Sequence, residues 1–170
     1  MRASALRFAV VPLAVLLLSA CGLQAGVDQR PDSGGVSPTQ APAINGATLA
    51  GQRLAWSSLR GHPVVLDFWG SWCGPCRAQQ PDLNALYRKY AARGVVFLGV
   101  DMRDDNSAAL SYEHDLHVAY ASIPDGSEQI AAAYNVSAPP TVIVIDQHGE
   151  IVDRFLGTIS GVSDDLNRLV

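Results

Sequence analysis

Val64-Val65-Leu66-Asp67-Phe68-Trp69-Gly70-Ser71-Trp72-Cys73-Gly74-Pro75-Cys76 decides the fold of this 170-residue chain. The nearly continuous apolar run from Val64 to Trp69 reads as a buried strand. The stretch from Pro75 to Ala92 reads as a helix, with Leu83, Leu86, Tyr87 and Tyr90 on one face and Gly94 as its stop. A strand feeding a Cys-x-x-Cys that opens a helix is the arrangement that reversible dithiol–disulfide chemistry needs. The spacing brings both sulfurs within bonding range across the first helical turn. The unpaired N–H groups and partial positive charge of that turn favour thiolate over thiol. Cys73, at the helix start, is expected to be the exposed attacking thiolate, its pKa lowered from ~8.5 toward ~7. Cys76, one turn inside, is expected to be the resolving thiol. The bland alternative is a permanent staple, but so short a loop constrains little of the unfolded chain.

Cys21 stands in a different kind of sequence. Arg2 and Arg7 precede an apolar stretch from Phe8 to Leu18, followed by Leu18-Ser19-Ala20-Cys21-Gly22. Residues 1–20 read as an export signal, too short for a comfortable membrane span of ~20 apolar residues. The ending Leu-Ser-Ala-Cys resembles the bacterial lipobox, which implies cleavage before Cys21 and lipidation of it; a plain secretory signal is the alternative. Each buried CH₂ contributes ~0.8 kcal/mol, so two or more acyl chains give stable anchoring. Residues 21–43 carry Gly22, Gly26, Pro31, Gly34, Gly35, Pro38 and Pro42 with almost no large apolar side chains. That is linker composition, and a coil of roughly 20 residues spans ~25 Å root-mean-square. The globular domain is expected over 44–170. Losing Arg2 and Arg7 with the signal moves the formal charge from −4 to −6, an acidic balance that argues against nucleic acid as partner. With Cys21 set aside, one cysteine pair remains, too few ligands for structural zinc. A compartment beyond the membrane also lets a disulfide persist.

Within the domain, Thr48-Leu49 and Arg53-Leu54-Ala55 flank Gly51 as a small hairpin, and Ser57–Gly61 reads as one helical turn. Val95–Val100 is a second buried strand, Asn106–Leu116 a helix, Val118–Ser122 a weak strand and Ser127–Tyr134 a short helix. Thr141–Ile145 and Glu150–Leu156 pair across the turn Asp146–Gly149, and a final helix starts at Ser160. The order βαβαβαββα gives an α/β fold with a mixed central sheet flanked by helices.

Asp67-Phe68-Trp69-Gly70-Ser71-Trp72-Cys73-Gly74-Pro75-Cys76 resembles the active-site segment of thioredoxin. Val136-Ser137-Ala138-Pro139-Pro140-Thr141, followed by Val142-Ile143-Val144-Ile145-Asp146 and Gly149, resembles the superfamily's cis-proline loop and the hairpin after it. The lipobox, the N-terminal hairpin and the extra α/β insertion between 101 and 134 make the chain similar to the membrane-anchored TlpA/ResA-like thiol–disulfide oxidoreductases. The resemblance covers about 44 to 170.

It implies a thioredoxin-like fold and an extracytoplasmic, lipid-anchored enzyme of the cell membrane that reduces disulfides of exported proteins such as apocytochrome c. It implies no cofactor beyond the Cys73–Cys76 pair and no metal. The implied partners are exported protein clients, a membrane electron-donor protein and the membrane itself, and the chain is expected to be a monomer. Trp72, Gly74, Pro75, Pro139 and Pro140 make up the implied client-binding rim, with Trp72 shielding the sulfurs and Trp69 a packing residue. Pro140 matches the cis-proline. Pro139 departs from the pattern, because the family's residue there donates a backbone N–H to the client and proline has none.

Asp67 matches thioredoxin's buried proton-relay acid, where TlpA/ResA-like members more often carry Asn. Burial of its charge would raise its pKa; the alternative is a carboxylate at the sheet edge in water. Gln79 stands where some relatives carry Glu and cannot transfer a proton. The Gly-Pro dipeptide matches thioredoxin, a reductant at ~−270 mV. The same chemistry run as an oxidant of exported proteins is the alternative. A copper-binding module is another, although those relatives use Cys-x-x-x-Cys with a distant His. A peroxidase would put Thr where Gly70 stands. His62 and His148 fall in turns. His114 and His117, at i, i+3 on a helix, and the charged run Asp101–Asp105 read as solvated surface.

Overall fold

The computed structural model describes residues 39–170. The signal segment 1–20, Cys21 and most of the proposed linker lie outside the described residues. Six strands form one mixed sheet in the order β1-β8-β7-β4-β5-β6: β1 Thr39–Gln40, β4 Val64–Trp69, β5 Val96–Met102, β6 Ser122–Asp125, β7 Thr141–Ile145 and β8 Glu150–Leu156. β4–β5 and β5–β6 are parallel, while β4–β7, β7–β8 and β8–β1 are antiparallel. A separate hairpin, β2 Asn45–Ala47 with β3 Arg53–Ala55, stands before the sheet. The helices are α1 Gly74–Tyr90, α2 Asn106–Asp115, α3 Gln129–Ala133 and α4 Val162–Leu169. No helix among the described residues is long and apolar enough to cross a membrane. The expected α/β architecture with a mixed central sheet is therefore present.

Every residue of β4 is buried, as the unbroken apolar run requires of a strand paired on both sides. Period-two alternation divides its side chains between two layers. Val64, Leu66 and Phe68 join Leu98, Val100, Met102, Ile143 and Ile145 in one hydrophobic cluster, closed by Ile44, Leu59, Tyr134 and Val136. Val65 points the other way, into a cluster with Leu83, Tyr90, Phe97, Tyr120, Val142 and Leu166. Trp69, on that same side, packs with Cys73, Cys76, Ala109 and Tyr112.

The boundaries depart from expectation in four places. Thr39–Gln40, expected in the linker, pairs with Ile151 and Glu150 at the sheet edge. The first strand of the hairpin is Asn45–Ala47, and Thr48 turns the chain, its carbonyl accepting from Gly51 N–H and its hydroxyl from Gln52 N–H. The strand expected at 118–122 is Ser122–Asp125. Residues 116–118 are consumed in ending α2, where Leu116 N–H returns to Tyr112 O and Val118 N–H to Glu113 O. Pro124 is tolerated because β6 is an edge strand. Finally, His117 lies beyond α2 at φ 51, so it does not share a helix face with His114.

Candidate active site

β4 ends at Trp69, and the chain turns through Gly70–Cys73, closed by Cys73 N–H to Gly70 O at 3.0 Å. Cys73 caps α1: its backbone is extended, and its Sγ accepts the Cys76 N–H at 3.2 Å. Pro75 fits in the first turn because an N–H there would have no helical partner. Cys73 and Cys76 are joined in a disulfide, with Cα atoms 5.3 Å apart. The donors that hold one sulfur at this helix start would equally stabilise a thiolate there.

Two expectations for this turn are corrected. Cys73 is only 4% exposed and Cys76 3%, because the disulfide is seated among Trp69, Ala109 and Tyr112. The oxidised pair therefore presents little surface to solvent. Trp72 does not shield the sulfurs as a packed residue: it is 51% exposed. Its indole N–H is tied to Met102 O at 3.0 Å, and the Arg103 guanidinium lies 4.9 Å from the ring centroid. Trp69 is the packing residue, stacked on Tyr112 with centroids 4.3 Å apart. Gly74 and Pro75 are exposed next to the pair.

The Pro139–Pro140 peptide bond is cis. Pro140 is buried and Pro139 half-buried. Thr141, directly after them, pairs with Phe68, one residue from the end of β4. The register thus puts the proline loop at the sheet end from which the cysteine turn departs. Gly157 N–H donates to Pro140 O, and the Thr141 hydroxyl to Ala138 O, fixing the loop from both sides.

Asp67 lies under this turn, not at a sheet edge, with 2% exposure. Burial pushes its carboxyl up from 3.8 to about 7, partly opposed by the hydroxyl of Tyr120, which donates to Oδ2 at 2.8 Å. Tyr120 accepts in turn from Gln80 Nε2 at 3.0 Å. Gln80 also donates to Asn84 Oδ1 at 3.1 Å and accepts from the Tyr112 hydroxyl. Burial raises both tyrosine hydroxyls well above their usual range, so they remain donors near neutrality. Cys76 and Gln80 are four residues apart on α1 and face the same way, which directs the resolving sulfur toward the same buried polar layer as Asp67.

Gln80, Asn84, Tyr112 and Tyr120 were not singled out from the sequence. A signal existed: Gln80 and Asn84 occupy the face of α1 shared by Cys76 and Leu83, all of them buried, where apolar residues are the rule. Gln79, the residue that was noticed, is half-buried, and its Nε2 has no hydrogen-bond partner among the described residues.

The run 101–105 is not a solvated loop. Asp101 is the penultimate residue of β5 and 1% exposed. Burial, and then the charge of Asp104, push its carboxyl up to about 8. Asp104 accepts both the backbone N–H and the hydroxyl of Ser71, the latter at 2.8 Å. Asp105 caps α2 by accepting from Ser107, whose hydroxyl first and backbone N–H second hold its carboxyl below the usual range. Burial likewise raises Glu113. Among the described residues no group of His, Cys, Asp and Glu is placed to hold a metal ion. Cys21 lies outside the described residues.

Comparison with known proteins agrees with this geometry. A family model described as Redoxin matches residues 37–169. Thiol:disulfide interchange protein DsbE of Pseudomonas fluorescens biotype C is 35% identical over 160 residues, 90% of this chain and 86% of that one. Thiol-disulfide oxidoreductase ResA of Bacillus thuringiensis (strain Al Hakam) is 30% identical over 118 residues, 69% of this chain and 68% of that one. Among solved structures, a putative thiol:disulfide interchange protein DsbE from Chlorobium tepidum superposes with a TM-score of 0.69 at 27% identity, covering 78% of this chain and 93% of that one.

Proposed function

Because the chain belongs to the Redoxin family and is a thiol–disulfide oxidoreductase of the ResA and DsbE kind, we propose that it reduces disulfides of exported proteins, apocytochrome c among them, at the outer face of a membrane to which Cys21 anchors it. The observation that carries the chemistry is the Cys73–Cys76 disulfide capping α1, with the titratable carboxyl of Asp67 buried behind it.

In the reduced enzyme the Cys73 thiolate attacks a client disulfide. The client S–S bond breaks, one client sulfur leaves as thiolate, and a Cys73–client mixed disulfide forms. Asp67, ionised in part near neutrality, takes the proton of the Cys76 thiol. The Cys76 thiolate then attacks Cys73 Sγ and expels the second client sulfur, which is protonated on leaving. Two electrons pass to the client, and the enzyme is left as the Cys73–Cys76 disulfide. A membrane electron donor returns it to the dithiol. Trp72, Gly74, Pro75, Pro139 and Pro140 form the rim against which the client lies, and Pro139, lacking an N–H, leaves the client one backbone bond fewer.

Equilibration of the pair against a glutathione or dithiothreitol redox buffer tests the direction. A potential near ~−270 mV supports the reductant, and one near ~−120 mV makes the protein an oxidant of its clients. Fractionation tests the anchor: Cys21→Ser is expected to move the protein from the membrane pellet to the soluble fraction, and retention in the pellet would count against lipid anchoring.

A further inference from the structure

The last residue of β5 and the chain that runs from it to α2 grip the two residues that precede Cys73. Met102 O accepts the Trp72 indole N–H at 3.0 Å, the Arg103 guanidinium lies 4.9 Å from the Trp72 centroid, and Asp104 accepts both donors of Ser71. The grip is close: a Cβ on Gly70 would sit 2.7 Å from Trp72 Nε1 and 3.1 Å from Met102 O, so no side chain fits there without displacing the indole.

Arg103 is itself held in place. It has φ 50, a left-handed conformation that residues with a Cβ rarely adopt. Its N–H reaches Asp125 O at 3.4 Å, and its Nε meets Glu128 Oε1 at 3.1 Å. Glu128 is left-handed as well, at φ 57. Two disfavoured backbone conformations joined by an ion pair thus park a guanidinium on one face of an indole that is otherwise half exposed beside the reactive sulfur.

We propose that Arg103 is a positioning residue for protein substrates: acting through Trp72, it fixes the indole in the orientation against which a client's apolar side chains dock next to the scissile disulfide. The Arg103 guanidinium lies over Trp72 and is paired with Glu128, which offsets its charge, so its effect is not general attraction of acidic clients. A small disulfide needs only the sulfurs and does not use this surface. The inference goes beyond the exchange reaction, whose own failure would appear as a wild-type protein that reduces neither kind of disulfide.

The test compares insulin with hydroxyethyl disulfide, with dithiothreitol supplying electrons. Arg103→Ala is expected to raise KM for insulin by about two- to fivefold, the range of an exposed cation–π contact, with kcat and hydroxyethyl disulfide reduction changed far less. Arg103→Lys, which keeps a cation over the ring, is expected to recover most of the loss. Trp72→Ala should raise KM at least as far, and adding Arg103→Ala to it should change nothing more. Equal slowing of both disulfides, or additive effects in the double variant, would overturn the proposal. If Arg103→Ala does not fold, Glu128→Gln carries the test: it is expected to raise the insulin KM in the same direction, and an unchanged KM would overturn the proposal too.

Discussion

The two faces of β4 are built from neighbouring residues and do opposite things. Leu66 and Phe68 enter a layer of aliphatic and aromatic side chains, at whose margin the buried Asp125 carboxylate is held by the backbone N–H groups of Ile130 and Ala131. Asp67, between them, enters the layer of α1, where a carboxyl, two tyrosine hydroxyls and two amides form a buried chain of hydrogen bonds close to the disulfide. Full burial of a Leu or Phe side chain contributes about 1.5–3 kcal/mol, whereas a buried carboxylate costs several unless it is partnered or neutralised. The first face therefore stabilises the sheet. The second gives up stability for groups whose protonation can change near neutral pH, and the redox pair sits on that side.

The difference can be broken from either face. Loss of the attacking sulfur has the largest effect: Cys73→Ser should abolish insulin reduction, whereas Cys76→Ser should accumulate a mixed disulfide at Cys73, read by mass spectrometry of the trapped species. On the apolar face, Phe68→Ala should lower unfolding free energy by about 3–5 kcal/mol in a denaturant titration while leaving the pH profile of exchange in place. On the polar face the sign reverses. The folded-state carboxyl of Asp67 titrates at about 7, against 3.8 when unperturbed. Its contribution to stability is therefore fully present below 3.8 and is lost as pH rises through about 7. Asp67→Asn removes that loss, so the oxidised variant should be more stable than wild type at pH 8, by at most about 4 kcal/mol, with the gain vanishing in acid. The smallest effect is expected at the proline loop. Pro139→Ala returns one backbone donor, worth about 1 kcal/mol net, and should raise the yield of client mixed disulfide trapped by Cys76→Ser a few-fold.

The apolar face was almost fully legible in the sequence, and the polar face only in part. Val64–Trp69, Thr141–Ile145 and Glu150–Leu156 coincide with the expected strands, because a continuous or alternating apolar pattern is a local signal. The cysteine pair and Asp67 were legible for the same reason, being carried by one short segment. Tyr120 and Gln80 were not: they meet across 40 residues, and neither residue type announces a partner. Asp104 reaches Ser71 across 33 residues, so the charges at 101–105 read as solvated until the β5 register brought them beside the cysteine turn. Cys73 read as exposed because a helix start is normally open. Trp69 and Tyr112, stacked on each other from distant segments, close it.

The pH dependence of the resolving step tests the division between the faces most directly. Mixing reduced enzyme with dithionitrobenzoate loads Cys73 with thionitrobenzoate, and a second phase of colour release reports attack by Cys76. In wild type the rate of that second phase should rise with an apparent pKa of about 7, the value of Asp67. In Asp67→Asn this inflection should disappear and the rate should continue rising to higher pH with the ionisation of Cys76 alone. Superimposable profiles for the two proteins would contradict the account.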